Sequence, residues 1–338
     1  MGSHRRLAPS GFDRGSTAAV GLLSVAAAVL GAVPATAAPH DDRRAEVDRL
    51  HTEAEQATEA YNKADARTDT LREEVTTAQD SIARQQEHVN TMRDALGSLA
   101  GAQYRSGGVD PSLALLLSAD PDDYLDRALV LDRITTRQAG ELKELQQAVR
   151  DLSQDRAEAA RKLTELEKGR KAVADHKKTV ERKLAKARKL LAALPDDERA
   201  AHARGSRSGR DDLTALPGAG ASASGRAGAA FAAARSALGK PYVWGANGPS
   251  GFDCSGLTQW AYAQAGVGLP RTSQAQSGAG QRVSLAEARP GDLVAYRDDA
   301  SHIGMYAGNG QVIHAPYPGA PVRYDPVGMM PVSSVTRV

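Results

Sequence analysis

Cysteine and aromatic residues are scarce in this chain of 338 residues, which holds one Cys, two Trp and three Phe. One cysteine excludes an internal disulfide, so the thiol is kept for another purpose. Aromatic residues make up 4% and charged residues 25% of the chain, a composition that suits long solvated helices better than one large core. The net charge is only +2, and zinc-finger spacings and aromatic RNA-binding patterns do not occur, so we expect no nucleic-acid partner.

The first 37 residues have the pattern of an export signal. Arg5 and Arg6 precede an apolar run over residues 17–33, and Ala35-Thr36-Ala37 is a small-x-small cleavage pattern. A retained membrane anchor is the alternative, but the run is short for a membrane span. We therefore predict a signal peptide over residues 1–37, cleavage after Ala37, and a secreted, cell-wall-associated protein.

Two long heptad runs occupy residues 38–194. Apolar residues recur at the a and d positions, starting from Val47 in the first run and Leu142 in the second. Residues 41–59 hold seven acidic and three basic residues, whereas residues 161–194 hold four acidic and twelve basic ones. An antiparallel hairpin places these opposite charges side by side, while a parallel homodimer would stack like charges. We therefore predict a coiled-coil helical hairpin.

The segments that flank the second run differ in composition. Between the runs, helix-breaking residues at 106–111 are followed by the short apolar segment Leu113–Leu117. A two-helix hairpin buries such a tip poorly, and exposed apolar patches commonly mark protein contacts, so we predict a partner there. Residues 195–228 are rich in Gly, Ser, Ala and Arg and are predicted to be a flexible linker.

Residues 229–338 have the pattern of a compact domain. Helical spacings come first and a series of short extended segments follows, which predicts an α+β fold with an antiparallel sheet. The predicted strands cover residues 293–297, 302–307, 311–315, 322–324 and 332–338.

Cys254 follows a glycine-rich approach and opens a predicted helix in which Leu257, Trp260 and Ala261 recur at helical spacing. Unpaired backbone N–H groups at a helix N-terminus favour an anion, which lowers a thiol pKa. A lone cysteine is more often a small buried hydrophobic residue. The glycines, the helix start and two downstream histidines favour a nucleophile instead.

Only His302 and His314, of eight histidines, lie in this domain. A three-residue loop at Gly308–Gly310 would pair Gly304 with His314 and place both histidines on one sheet face, whereas a two-residue turn would separate them. On one face, His302 can act on the thiol while His314 orients it. A Cys/His/His zinc site is the competing interpretation, but a close ligand pair is missing from the sequence, so we predict no metal.

Six motifs in this domain occur in an order that closely resembles the NlpC family of papain-like cysteine peptidases. They are Lys240–Gly245, Gly251–Leu257, Leu269–Ser273 with Gln276, Pro290–Leu293, Ser301–Tyr306 and Val312–Ala315. The resemblance implies a papain-like α+β domain that needs no cofactor. It further implies hydrolysis of peptidoglycan stem peptides, typically at the bond from γ-D-glutamate to a diamino acid.

The resemblance also implies roles for individual residues. Cys254 would be the nucleophile, His302 the base and His314 the third, orienting residue. Tyr242 matches a tyrosine near the oxyanion hole, and the matches to the substrate cleft are Asp253, Ser255, Arg271 and Ser273. By their chemistry, Arg271 can bind a carboxylate, and Asp253 and Ser255 can accept from an ammonium group.

The order of signal peptide, hairpin and peptidase domain resembles secreted actinobacterial wall endopeptidases of the RipA type. By that resemblance, an FtsEX-like membrane complex is a candidate activator that binds the coiled coil. Two alternatives stay open. The same fold and nucleophile can serve an amidase or acyltransferase, and the domain could be a non-catalytic wall-binding module on a scaffold.

Overall fold

The computed structural model describes residues 39–105, 113, 121–199 and 225–338. The predicted signal peptide, most of the apolar tip and most of the predicted linker lie outside these residues. Within the described part of the chain, none of the helices combines the length and hydrophobicity that a membrane span needs.

Two long helices, α1 (Pro39–Arg105) and α2 (Pro121–Ala192), pack antiparallel. Their cross-contacts follow the charge asymmetry, because Glu46 near the start of α1 accepts from Lys186 near the end of α2 at 2.8 Å. Farther along, the Gln85 amide N–H donates to Asp155 at 2.6 Å across the seam. Buried heptad residues line the contact, among them Val47, Leu50, Ala54, Leu71, Val75, Val89, Leu152, Ala159, Leu166, Val180, Leu184 and Ala187. The predicted helical hairpin is confirmed.

The C-terminal domain begins with α3 (Arg226–Ser236), whose first turn lies in the predicted linker. Three short helices follow: α4 (Cys254–Gln264), α5 (Ser273–Gln276) and a 3₁₀ turn (Leu285–Glu287) that starts with a capping box at Ser284.

A six-stranded antiparallel sheet completes the domain, with the order β1-β6-β2-β3-β4-β5. The strands are β1 (Gln281–Val283), β2 (Leu293–Tyr296), β3 (His302–Gly308), β4 (Gln311–His314), β5 (Arg323–Pro326) and β6 (Val332–Arg337). The predicted α+β class is confirmed. The sequence-based prediction missed β1, a three-residue edge strand that is largely exposed and lacks an apolar alternation.

The β3–β4 hairpin places His302 and His314 on one sheet face, as predicted, but with a shorter loop than the predicted one. Gly308 pairs with Gln311, so the loop has two residues, Asn309 and Gly310, and not three. The register then shifts between Tyr306 and Gly308, which inserts one extra residue on β3. This bulge restores the pairing that a longer loop would have given, because Met305 pairs with Ile313. The two histidines consequently lie on the same face.

One face of the sheet packs against α4, which is buried along most of its length. Leu257, Ala261 and Tyr262 of α4 are fully buried and belong to the main core with Ile303 and Ile313. The Tyr262 hydroxyl donates to the Gly291 carbonyl at 2.9 Å, which ties the helix to the turn before β2. This packing holds the N-terminus of α4 against the start of β3.

Candidate active site

Cys254 is the first residue of α4, as predicted. Asp253 is the N-cap, and its carboxylate accepts from the Gly256 backbone N–H at 2.6 Å. A side chain at position 256 is excluded, since a Cβ there would lie 2.1 Å from the Ala246 carbonyl oxygen. Gly256 therefore lets the preceding loop fold tightly over the first turn of α4.

The pKa of Cys254 differs from the expected direction. Burial raises the pKa of this thiol well above its usual value, and the nearby carboxylates of Glu59, Asp253 and Glu55 raise it further. A hydrogen bond from the Ile303 backbone N–H opposes them with a smaller effect. The helix N-terminus was expected to favour thiolate, but in this arrangement burial and negative charge outweigh it. Cys254 is therefore a thiol here.

His302 and His314 are fully buried and joined directly. His302 Nε2 lies 2.7 Å from His314 Nδ1, and His314 Nε2 lies 2.8 Å from Asp325 Oδ2. Burial lowers the pKa of His302 well below its usual value, with smaller contributions from His314 and Arg297. Burial also lowers the pKa of His314, although Asp325 opposes the change. Both rings are therefore neutral near pH 7.

The second ring nitrogen of His302 faces the hairpin side of the site. His302 Nδ1 is buried and has no hydrogen-bond partner among the described residues. Glu55 Oε2 lies 3.8 Å from it, beyond hydrogen-bond distance. The Cys254 sulfur accepts a hydrogen bond from the backbone N–H of Ile303, the residue that follows His302. Cys254 therefore contacts the start of β3, the strand that begins with His302.

Two predicted cleft residues, Asp253 and Arg271, form a bidentate ion pair. Arg271 Nη2 lies 2.6 Å from Asp253 Oδ2, and Nη1 lies 3.0 Å from Oδ1. Arg271 Nη1 also donates to Ser255 Oγ at 3.0 Å. The guanidinium fork that was expected to bind a substrate carboxylate is thus occupied by Asp253. Arg271 instead fixes the carboxylate and the hydroxyl that surround the first turn of α4.

The structure also brings Tyr242 and Ser273 to the site. Tyr242 is buried, and after burial the largest contribution to its raised pKa is the neighbouring Cys254. The Ser273 hydroxyl donates to the Ala300 carbonyl at 2.7 Å, and the backbone N–H of Ser273 faces the cleft. All eight sequence-predicted residues therefore lie in one connected cluster.

Helix α1 covers this cluster. Glu59 accepts from Ser255 Oγ at 2.8 Å through Oε1 and from the Ser273 backbone N–H at 2.8 Å through Oε2. The Cys254 sulfur lies 3.8 Å from Glu59 Oε1. Asn62, one turn farther along α1, donates to Asp253 Oδ2 at 3.1 Å. A glutamate side chain therefore occupies the space in front of the thiol.

Further contacts extend this cover beyond the thiol. Glu55 pairs with Arg297 at 2.6 Å, and Gln56 donates to Asp299 at 2.8 Å. Trp244 packs against Tyr61 with ring centroids 5.2 Å apart and contacts an apolar cluster of both hairpin helices, formed by Ala54, Ala57, Val180 and Leu184. The hairpin thus contacts the C-terminal domain around the whole entrance to the thiol.

The two glutamates of α1 that face the site, Glu55 and Glu59, have raised pKa values. Burial raises the pKa of Glu55 to about 7, although Arg297 opposes the change. Burial also raises the pKa of Glu59 to about 7, and the charge of Asp253 adds to the effect. Hydrogen bonds from Ser255 and Ser273 stabilise the ionised form of Glu59 without cancelling its burial. In the covered site these two carboxyls are therefore partly protonated near pH 7.

Sequence reasoning missed four residues of this assembly: Glu55, Glu59 and Asn62 on α1, and Asp325 on β5. The three on α1 share one helix face at spacings of four and three residues, but polar residues on a hairpin surface are ordinarily solvated. Asp325 lies one residue beyond the predicted strand 322–324, and its alternation with Arg323 was the one available signal. Among the described residues, no group of three or more His, Cys, Asp or Glu side chains is placed to hold a metal ion.

Comparison with known proteins gives a family match in the C-terminal domain. Residues 239–335 match the sequence profile of the NlpC/P60 family. A probable endopeptidase of Corynebacterium glutamicum is 49% identical over 105 residues, which are 31% of this chain and 50% of that protein. The probable endopeptidase p60 of Listeria monocytogenes is 52% identical over 97 residues, which are 28% of this chain and 20% of that protein.

Among solved structures, a hypothetical invasion protein of Mycobacterium tuberculosis is 33% identical, with a TM-score of 0.31 over 33% of this chain and 61% of that one. The chain spans about half the length of the Corynebacterium relative and about a fifth of the length of the Listeria relative. The motifs recognised in the sequence, the cysteine at the head of α4 and the profile match agree that the C-terminal domain, over residues 239–335, is similar to the NlpC/P60 family.

Proposed function

We propose that the protein is a secreted cell-wall hydrolase, a cysteine peptidase that cleaves peptidoglycan stem peptides at the bond from γ-D-glutamate to a diamino acid. The observation that carries the proposal is the placement of Cys254 at the head of α4 beside the linked pair His302–His314. The family match, with relatives named probable endopeptidases, supports this activity. The export signal of the sequence supports the location.

The chemistry follows from the neutral resting forms. His302 Nδ1 takes the proton of the Cys254 thiol, and the thiolate attacks the peptide carbonyl carbon. The tetrahedral intermediate collapses as the imidazolium returns the proton to the leaving amine, which breaks the C–N bond and leaves a thioester. Water, deprotonated by His302, then hydrolyses the thioester and restores the thiol. The buried Tyr242 neighbours the thiol, and the family resemblance implies that it lies near the developing oxyanion.

The contacts of α1 indicate what the cleft can bind. Ser255 Oγ and the Ser273 N–H both donate to the Glu59 carboxylate, so they offer two donors for an acidic group once α1 is displaced. Asp253 accepts an N–H from Asn62, so it can accept from an amino group there. A stem peptide carries both kinds of group, which supports the proposed substrate class.

Two substitutions test the catalytic assignment. Cys254→Ala and His302→Ala should each abolish cleavage of purified muropeptides, because one lacks the nucleophile and the other the base, while the melting temperature stays close to that of the unchanged chain. Mass spectrometry of the products identifies the bond. Products cut between the sugar and the peptide would indicate an amidase instead, and chelator inhibition that zinc reverses would indicate a metal site.

We further propose that the docked hairpin restrains the enzyme. A substrate carbonyl cannot reach the Cys254 sulfur while Glu59 lies 3.8 Å from it and hydrogen-bonds both flanking donors. The covered arrangement also keeps the thiol protonated through burial and nearby carboxylates. Activity then requires the hairpin to leave.

Charge reversal on α1 tests this restraint in the chain of residues 38–338. Glu59→Arg places a cation against Arg271 and removes both hydrogen bonds to the cleft, so muropeptide cleavage should rise at least about tenfold. Glu87→Arg, an exposed position on the same helix far from the cleft, is the matched control and should change nothing. Equal rates for the unchanged chain and Glu59→Arg would contradict the restraint.

The buried carboxyls predict a pH dependence of hairpin release. Docking raises the pKa of Glu55 and Glu59 from 4.5 to about 7, so the docked form binds more protons than the released form. Docking is therefore strongest below pH 4.5 and weakens as pH rises to about 7. Arg297 and Asp299 face Glu55, and Asp253 faces Glu59, so these charges are part of the same equilibrium.

Labelling of Cys254, the single cysteine, measures this release. The double variant Glu55→Gln, Glu59→Gln cannot ionise at these positions, and its released thiol has the same intrinsic reactivity as the unchanged chain. The ratio of labelling rates, unchanged chain over double variant, should rise at least about tenfold between pH 5 and pH 8. A ratio that stays constant with pH would show that the two carboxyls do not control release.

A membrane-associated activator, FtsEX-like by the resemblance of the architecture, is proposed to displace the hairpin from its far end. Several large apolar side chains near that end are exposed, among them Leu99, Tyr104, Leu113, Leu129, Val130 and Ile134, which supports a protein contact. The double change Leu115→Asp, Leu116→Asp should abolish activation in cells and leave muropeptide cleavage by the Glu59→Arg chain unchanged. Normal cell separation with the double change would contradict an activator at the tip.

A further inference from the structure

Asp325 closes a chain of hydrogen bonds that begins at His302. It lies on β5, whose register pairs Arg323 with His314 and Asp325 with Val312, so Asp325 is the diagonal neighbour of His314 across the β4–β5 ladder. Its Oδ2 atom lies 2.8 Å from His314 Nε2 and also accepts from Arg323 Nε at 2.8 Å. Only 12% of the Asp325 side chain is exposed, so the contact is shielded from water.

The carboxylate determines where the protons lie in both rings. Burial opposes ionisation of Asp325, but the hydrogen bond from His314 and the charge of Arg323 hold its pKa below the usual value. An ionised carboxylate only accepts hydrogen bonds, so His314 must carry its proton on Nε2. A neutral His314 then presents a lone pair at Nδ1, and His302 must donate to it from Nε2.

The consequence falls on the other ring nitrogen of His302. A neutral His302 with its proton on Nε2 has a lone pair on Nδ1, which is the buried atom without a hydrogen-bond partner among the described residues. That lone pair is what a base for the Cys254 thiol requires. If the His302 proton moved to Nδ1, the same ring could not accept from the thiol.

We propose that Asp325 is a positioning residue that, through His314, holds His302 in the tautomer competent to deprotonate Cys254. The inference rests on the proposed function, because it assigns the base of that reaction its reactive nitrogen. A merely structural Arg323–Asp325 ion pair would contribute stability alone. The two roles differ in what they do to the imidazole protons.

The test compares Asp325→Ala, Asp325→Asn and a control, each made in the chain of residues 38–338 that carries Glu59→Arg, so that the hairpin does not cover the thiol; this Glu59→Arg parent serves as the unchanged chain of the comparison. Asp325→Ala removes the acceptor, so kcat should fall at least about tenfold while KM changes less than about twofold, since only a fraction of His302 keeps the competent tautomer. Asp325→Asn keeps an oxygen that can accept from His314 and should retain more activity than Asp325→Ala. Asp292→Ala is the control, because it breaks another buried ion pair, with Arg337, away from the histidines.

Nitrogen-15 NMR of the histidine rings gives a readout that does not need activity. The unchanged chain and Asp292→Ala should show Nε2–H tautomers for both His302 and His314, and Asp325→Ala should show a mixture of tautomers. Unchanged Nε2–H tautomers in Asp325→Ala, or a kcat equal to that of the unchanged chain, would overturn the proposal. Loss of activity towards stem peptides in every chain, with the tautomer change present, would refute the proposed function and leave the role of Asp325 standing.

Discussion

The contact of the Glu59 carboxylate with the first turn of α4 determines the state of the whole site. It places negative charge beside a thiol that is already buried, so both the burial and the charge favour the protonated form. The same burial keeps His302 neutral. The covered site therefore holds its nucleophile and base as an uncharged pair, and the helix N-terminus can favour thiolate only after α1 has left.

Sheet geometry supplies the second constraint. A single extra residue on β3 brings His302 and His314 to one face, and the register of β5 adds Asp325 to the same row. His314 is hydrogen-bonded through both ring nitrogens, and His302 is held by His314 through Nε2. Neither ring therefore needs to reorient when the proton moves from the thiol to His302. Rigid strands suit this task because neighbouring residues on one face are held at fixed spacing.

The sequence was sufficient for features that depend on local patterns. Heptad spacing and charge asymmetry predicted the hairpin, and the spacing of Leu257 and Ala261 predicted α4 with Cys254 at its start. The shared face of the histidines was also predicted, although from a longer loop than Asn309-Gly310. Features created by long-range contacts could not be predicted from local patterns. Helix α1 covers the site through contacts between residues about 200 positions apart, such as the Glu59–Ser255 hydrogen bond. These contacts help to raise the pKa of the Cys254 thiol, which was expected to be lowered.

The composition of the hairpin contact explains why it can open. Apart from the packing of Trp244 against the hairpin, the contacts described around the thiol are hydrogen bonds and ion pairs of Glu55, Gln56, Glu59 and Asn62. Buried charges return little net free energy, because desolvation offsets most of their attraction. A partner that binds the released hairpin more tightly than the docked hairpin would therefore need only a modest difference between these two affinities to shift the population. A cover built from apolar side chains would bind more tightly and would not respond to pH, so the polar contact is what makes the restraint reversible.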